Sequence, residues 1–75
     1  MNEIAPGITV DERVRFGKPV VAGTRVPVAL VIGQLAGGAS PDDVAAAYGL
    51  TRQGVLAALS HAARVLEDGC VRVQD

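Results

Sequence analysis

The chain is 75 residues long, 49% of them hydrophobic, with 7 basic against 8 acidic side chains and a net charge of −1. A chain of that length forms one domain that buries only about 60–65% of its unfolded surface. The near-neutral balance excludes a protein that binds nucleic acid through bulk positive charge. A local basic patch is still open to it: Arg13, Arg15, Lys18 and Arg25 fall within thirteen positions, whereas Asp42, Asp43, Glu67, Asp68 and Asp75 come later. The apolar residues are mostly aliphatic, and Phe16 and Tyr48 are the only aromatics. So much aliphatic surface on a small core predicts a homodimer. The one cysteine, Cys70, has no partner for an internal disulfide and no cationic neighbourhood to activate it, so it reads as a small buried hydrophobe. "MNEIAPGITV" has neither the charged leader nor the apolar run of a signal peptide, and no segment approaches the roughly 20 apolar residues that span a bilayer. The expectation is a soluble, cytoplasmic chain with no membrane partner.

Residues 1–27 read as an extended arm. "ITV" at 8–10 is β-branched, Asp11-Glu12 interrupts it, and "VRF" at 14–16 alternates. "VVAGTRV" at 20–26 places two β-branched runs around Ala22-Gly23, which predicts a hairpin turning at Gly23. Strands this short must pair with each other, cover the helices or pair with a second chain. Residues 28–68 read as a helical core. Pro27 suits a helix start, and Val28, Val31, Ile32 and Leu35 share one face before "AGG" at 36–38 stops the helix. Ser40 is an N-cap, Pro41 opens a second helix, and Asp42 and Asp43 lie at its positive end. Capping accounts for both aspartates, and no histidine or further carboxylate stands near in sequence to make a metal or acid–base site of them. Val44, Ala47 and Tyr48 are expected to face inward. Gly49 turns the chain, Leu50 plugs inward and Thr51 caps a third helix over 52–66. That helix is expected to bury Val55, Leu59, Ala62 and Leu66 and to show Gln53, Ala57, Ser60 and Arg64 on its opposite side. Gly69 ends it, and "CVRV" within the tail 69–75 is a short strand or a loose end.

Two short helices around a glycine turn suggest a helix-turn-helix. Ala45 is small where the helices approach, Gly49 can take the positive φ of the turn, and Val44, Tyr48, Leu50 and Val55 supply apolar contacts. Any tight corner between helices needs similar residues. If the third helix reads DNA, Thr51 would touch a phosphate, Arg52 a phosphate or guanine, and Gln53 an adenine, while Gly54 and Ala57 would permit close approach. If the corner is only architectural, Thr51 is a cap and Arg52 and Gln53 are solvated. His61 stands alone on the outer flank, without the partners a metal needs. No nucleophile–base or carboxylate pair assembles, so neither an enzyme nor a cofactor is expected.

The segment "GKPVVAGTRVPV" at 17–28 is not a phosphate loop. A Walker loop needs glycine where Glu12 stands and Ser or Thr where Pro19 stands. Together with "GGASPDDVAAAYGLTRQGVLAALSHA", it resembles the VapB-like small antitoxin family catalogued as domain of unknown function number 433. The resemblance covers residues 8–66, and Gly17, Lys18, Pro19, Gly23, Thr24, Arg25 and Pro27 match its motif. It implies a mainly α fold: a homeodomain-like three-helix helix-turn-helix core with a short N-terminal β arm, paired in a dimer. It also implies an antitoxin that neutralises a PIN-like RNase toxin by direct binding and represses its own operon by binding operator DNA. Phe16 stands where relatives often have glycine, and "VDERVRFG" lacks their proline after the aspartate, so the conformation of 11–17 stays open. An inserted arginine would engage an acidic nuclease pocket, which makes Arg72 in the tail a possible toxin contact, with Lys18 and Arg25 as other ligand or partner contacts. Arg25 has an alternative role in an internal ion pair with Asp11 or a helix carboxyl end.

Overall fold

The computed structural model describes residues 2–68, so the expectations placed on Cys70, Arg72 and the rest of the tail 69–75 lie outside the described residues. The arm is a three-stranded antiparallel sheet in the order β1 (Asn2–Ala5), β2 (Ile8–Val10), β3 (Val20–Val21). Ile8 pairs with Val21 and Thr9 with Val20, while Asn2 and Glu3 pair with Val10 and Thr9. Pro6 and Gly7 join β1 to β2, with Gly7 at φ 77° and its N–H donating to the Glu3 carboxylate at 3.2 Å. β1 was not expected, because "NEIA" carries no β-branched alternation and lies exposed along most of its length.

The turn expected at Gly23 is present. Gly23 has φ 76°, the Thr24 N–H donates to the Val21 carbonyl at 3.0 Å, and the Val21 N–H donates to the Val26 carbonyl at 2.9 Å. The Thr24 hydroxyl locks it by donating to the Val21 carbonyl at 2.7 Å and accepting from the Val26 N–H at 3.0 Å. Its second limb does not become a strand. Only an isolated bridge joins Val20 to Pro27 before the first helix starts. "VRF" is not a strand either: Arg15–Gly17 is one turn of 3₁₀ helix, with Arg15 at φ 53° and Gly17 at φ 82°.

Three helices follow: α1 (Val28–Ala36), α2 (Pro41–Tyr48) and α3 (Arg52–Asp68). Pro27 is the N-cap of α1 rather than its first residue, since its ψ of 143° is extended. Ser40 and Asp43 close a capping box on α2: the Asp43 N–H donates to Ser40 Oγ at 3.0 Å, and the Ser40 N–H donates to the Asp43 carboxylate at 3.3 Å. Gly49 ends α2 in the left-handed conformation at φ 68°. Thr51 caps α3, accepting from the Gly54 N–H at 3.0 Å.

Ile8, Val21, Val28, Val31, Val44, Val55 and Ala58 form the core, with Ile32, Leu35, Ala45 and Leu50 packed around it. The result is a mainly α, homeodomain-like three-helix core carrying an N-terminal β arm. Two details correct the sequence reading. Ala47 and Tyr48 face outward, Tyr48 being 36% exposed. The buried face of α3 is Val55 and Ala58, whereas Leu59 and Leu66 are 38% and 66% exposed. Length accounts for Leu66, though not for Leu59, which is only the eighth residue of α3. α3 has 17 residues against nine and eight in α1 and α2. At about 1.5 Å per residue it outruns both by well over a turn.

The arm rests on α3 at two small residues. A Cβ on Gly7 would lie 2.8 Å from Ala57 Cβ, and one on Gly54 would lie 3.0 Å from Val21 Cγ1. Gly54 and Ala57 therefore admit the arm, which explains their size without a ligand. Gly7 and Gly23 share a positive φ but differ in surroundings, since nothing lies within 4 Å of a Cβ on Gly23. Gly23→Ala is expected to cost about 1 kcal/mol from backbone strain alone. Gly7→Ala is expected to cost about 2–4 kcal/mol, because overpacking adds to the strain. Urea unfolding midpoints measure both, and equal losses would contradict the seating of the arm.

Candidate nucleic-acid interface

The corner between α2 and α3 is built locally. Gly49 reverses the chain, the Leu50 N–H donates to the Ala45 carbonyl at 2.9 Å, and Leu50 then packs against the core. Thr51, Arg52 and Gln53 follow as exposed residues at the start of α3. Thr51 is occupied as a cap acceptor, which leaves its hydroxyl proton free to donate. Arg52 is not simply solvated: its Nη1 donates to Asp42 Oδ1 at 2.9 Å, with both side chains mostly exposed. This ion pair links the first turns of α2 and α3. An exposed pair of this kind contributes about 0–1 kcal/mol.

An open groove of about 580 Å³ runs between the arm and α3. Ala5, Gly7 and Thr24 line one side, and Thr51, Gln53 and Ala57 are among the residues lining the other. Ala57 is half-buried in this groove beside Gly7, not on a bare outer face as the helical spacing suggested. His61, expected to be solvated, is also half-buried and lies along the same groove. Among the described residues no cluster of three or more His, Cys, Asp or Glu side chains is placed to hold a metal. No described helix is long and apolar enough to cross a membrane.

Of the three residues expected as ligand or partner contacts, Lys18 and Arg25 lie on the arm, and Arg72 lies outside the described residues. Lys18 and Arg25 are exposed, and among the described residues neither is in an ion pair. Asp11, an expected partner for Arg25, is taken by Arg13. The Arg13 N–H donates to Asp11 Oδ1 at 2.9 Å, and its Nε and Nη2 reach the two carboxylate oxygens at 3.3 Å. Those hydrogen bonds hold the Asp11 carboxyl below the usual range, so the pair persists to a lower pH than an ordinary aspartate would allow. Arg25 instead meets Arg15, whose Nε donates to the Arg25 carbonyl at 3.3 Å. The role of Arg15 was missed; its only signal was its place in the basic stretch 13–25.

Fold and corner together define a three-helix helix-turn-helix domain with an N-terminal β arm. The chain belongs to the family of proteins of unknown function DUF433, whose model matches residues 8–62. A solved structure of Rv2018 from Mycobacterium tuberculosis is similar to it, with a TM-score of 0.64 and 40% identity. The match covers 69% of this chain and 24% of the Rv2018 chain, so this chain spans about a quarter of that one. No curated protein matches the chain.

Capping and surface pairing separate cleanly at this corner. Ser40→Ala is expected to lower stability by about 1 kcal/mol. A double-mutant cycle on Asp42 and Arg52 is expected to give a coupling of at most about 1 kcal/mol that shrinks with salt. Urea unfolding at low and high salt checks both.

Proposed function

We propose that this chain is the antitoxin of a toxin–antitoxin pair, a cytoplasmic homodimer that neutralises a PIN-like RNase by direct binding and represses its own operon by binding operator DNA. The observation that carries the DNA half is the exposed first turn of α3. Thr51, Arg52 and Gln53 stand exposed beyond a glycine corner, where a recognition helix presents its reading residues. The toxin half is supported by the family's motif at 17–28. Dimerisation is supported by apolar side chains left in solvent: Ile4, Leu56, Val65 and Leu66 are 51%, 40%, 50% and 66% exposed.

A second reading has its own observation. The Arg52–Asp42 pair occupies the cation of the reading turn, which suits a protein-interaction module whose corner never touches DNA. Binding to the native upstream duplex separates the two. As an operator binder, the chain loses at least about tenfold in affinity between about 50 and about 200 mM salt. Gln53→Ala weakens that duplex about tenfold or more and spares random sequence. Asp42→Asn tightens binding, because it releases Arg52 and removes a negative charge from the reading turn. No complex at low salt, alone or with toxin, rules out operator binding. For neutralisation, the product of the adjacent reading frame is expected to co-purify with this chain and lose its RNase activity. A toxin still active with this protein in excess excludes the antitoxin role.

A further inference from the structure

Three arginines from two segments of the arm converge on one hollow. Arg13, Arg15 and Arg25, with Val14, line an open depression of about 310 Å³, and no acidic side chain is among them. Asp11 and Glu12 open instead onto a separate depression that shares only Arg13. Asp11 neutralises Arg13, whereas among the described residues Arg15 and Arg25 have no counter-ion. Like charges gathered without an anion repel one another, so something must hold them there.

The backbone does so under strain. Arg15 is the one non-glycine residue with positive φ among the described residues, at 53°. Its conformation is fixed by a run of turn hydrogen bonds: Val14 N–H to the Asp11 carbonyl at 2.8 Å, Gly17 N–H to the Val14 carbonyl at 3.2 Å, and Lys18 N–H to the Arg15 carbonyl at 3.1 Å. The Arg15 Nε bond to the Arg25 carbonyl then draws the two residues together. Strain kept at an exposed cationic cluster is characteristic of a ligand clamp. Guanidinium forks match the paired oxygens of a phosphate.

The hollow also has a useful position. Thr24, next to Arg25, lines the groove that holds Thr51 and Gln53. Val21, at the base of the same turn, packs against Gly54 in the first turn of α3. One turn of the arm therefore faces the start of α3 on one side and carries Arg25 on the other. We infer that Arg15 and Arg25, with Arg13 beside them, form a clamp for the backbone phosphates of duplex DNA, flanking the first turn of α3. This rests on the DNA-binding reading and supplies what it lacks, because the cation of the reading turn, Arg52, is tied to Asp42. Duplex DNA carries a charge about every 1.7 Å along its axis, so a duplex docked on the reading turn presents phosphates on either side of it. The clamp reads no sequence.

The test uses the whole chain and fluorescence anisotropy, with the native upstream duplex and a short random-sequence duplex, over a salt series. The double variant Arg15→Asn/Arg25→Gln removes both charges. Asparagine tolerates the left-handed backbone and glutamine keeps the stem of Arg25. The variant is expected to bind both duplexes about tenfold or more weakly at low salt, with a salt slope reduced by about two. Should that variant fail to fold, the Arg25→Gln single variant is expected to reduce the slope by about one. In the unmutated chain, the Arg15 and Arg25 Nε–H resonances are expected to move on adding random duplex. Three outcomes overturn the clamp: no binding of the unmutated chain to random duplex at low salt, an unchanged slope in the variants, or tighter binding of poly-glutamate than of duplex that the double variant abolishes. The last would assign the hollow to an acidic protein partner. Equal affinity for the upstream and random duplexes overturns operator reading but leaves the clamp standing.

Discussion

The contact between Gly7 and Ala57 decides what α3 can offer to anything else. Without the arm, the first two turns of α3 would show small residues such as Gly54 and Ala57 to solvent, where they could admit a nucleic-acid backbone. Here the β1–β2 turn and Val21 occupy that approach. Because an added Cβ at Gly7 would sit at 2.8 Å, the turn comes close enough to exclude any intervening atom. The sheet is thus part of the folded body and not a loose appendage. Ile8 and Val21 bring its inner face into the same core as Val31, Val44 and Val55.

That placement distributes the charge. The first turn of α3 is left open, but its arginine is held by Asp42. Among the described residues, Arg15 and Arg25 have no carboxylate partner and lie on the arm, Arg25 next to the turn that borders Thr51 and Gln53. The segment "GKPVVAGTRVPV" therefore has two tasks. Its apolar residues, Val20, Val21 and Val28, fill the core, and Gly23 with Thr24 folds it sharply enough to present Arg25 outward. One chain of net charge −1 can then carry a local cationic surface beside a helix-turn-helix.

What was legible in the sequence was what is decided over a few residues. Ser40, Pro41 and Asp43 announce a helix start, Gly49 and Thr51 announce the corner, and Gly23 announces a turn, because each acts through a bond or a φ that needs no distant partner. β1 was not legible. It is an edge strand whose side chains, Ala5 apart, are exposed, so its composition carries no burial pattern. The face of α3 was read from the helical spacing of Val55, Leu59, Ala62 and Leu66, but the arm adds a second buried sector that small residues serve better. "VRF" misled because its alternation resembles a strand, while Gly17 and the turn bonds at Asp11 and Val14 bend it away. The convergence of Arg15 on Arg25 depends on contacts between residues ten apart, which no local pattern reports.

The seating of the arm on α3 is tested most directly by a double-mutant cycle between Gly7→Ala and Ala57→Gly, read by urea unfolding. Alone, each substitution destabilises, the second by roughly 1 kcal/mol or more from lost helix propensity and packing. If Gly7 lies on Ala57, removing the Ala57 methyl relieves the added one, and the double variant is more stable than the sum of the singles by about 1–2 kcal/mol. Additivity within about 0.3–0.5 kcal/mol would mean that the arm does not rest there, and the assignment of free and covered surface on α3 would fall with it.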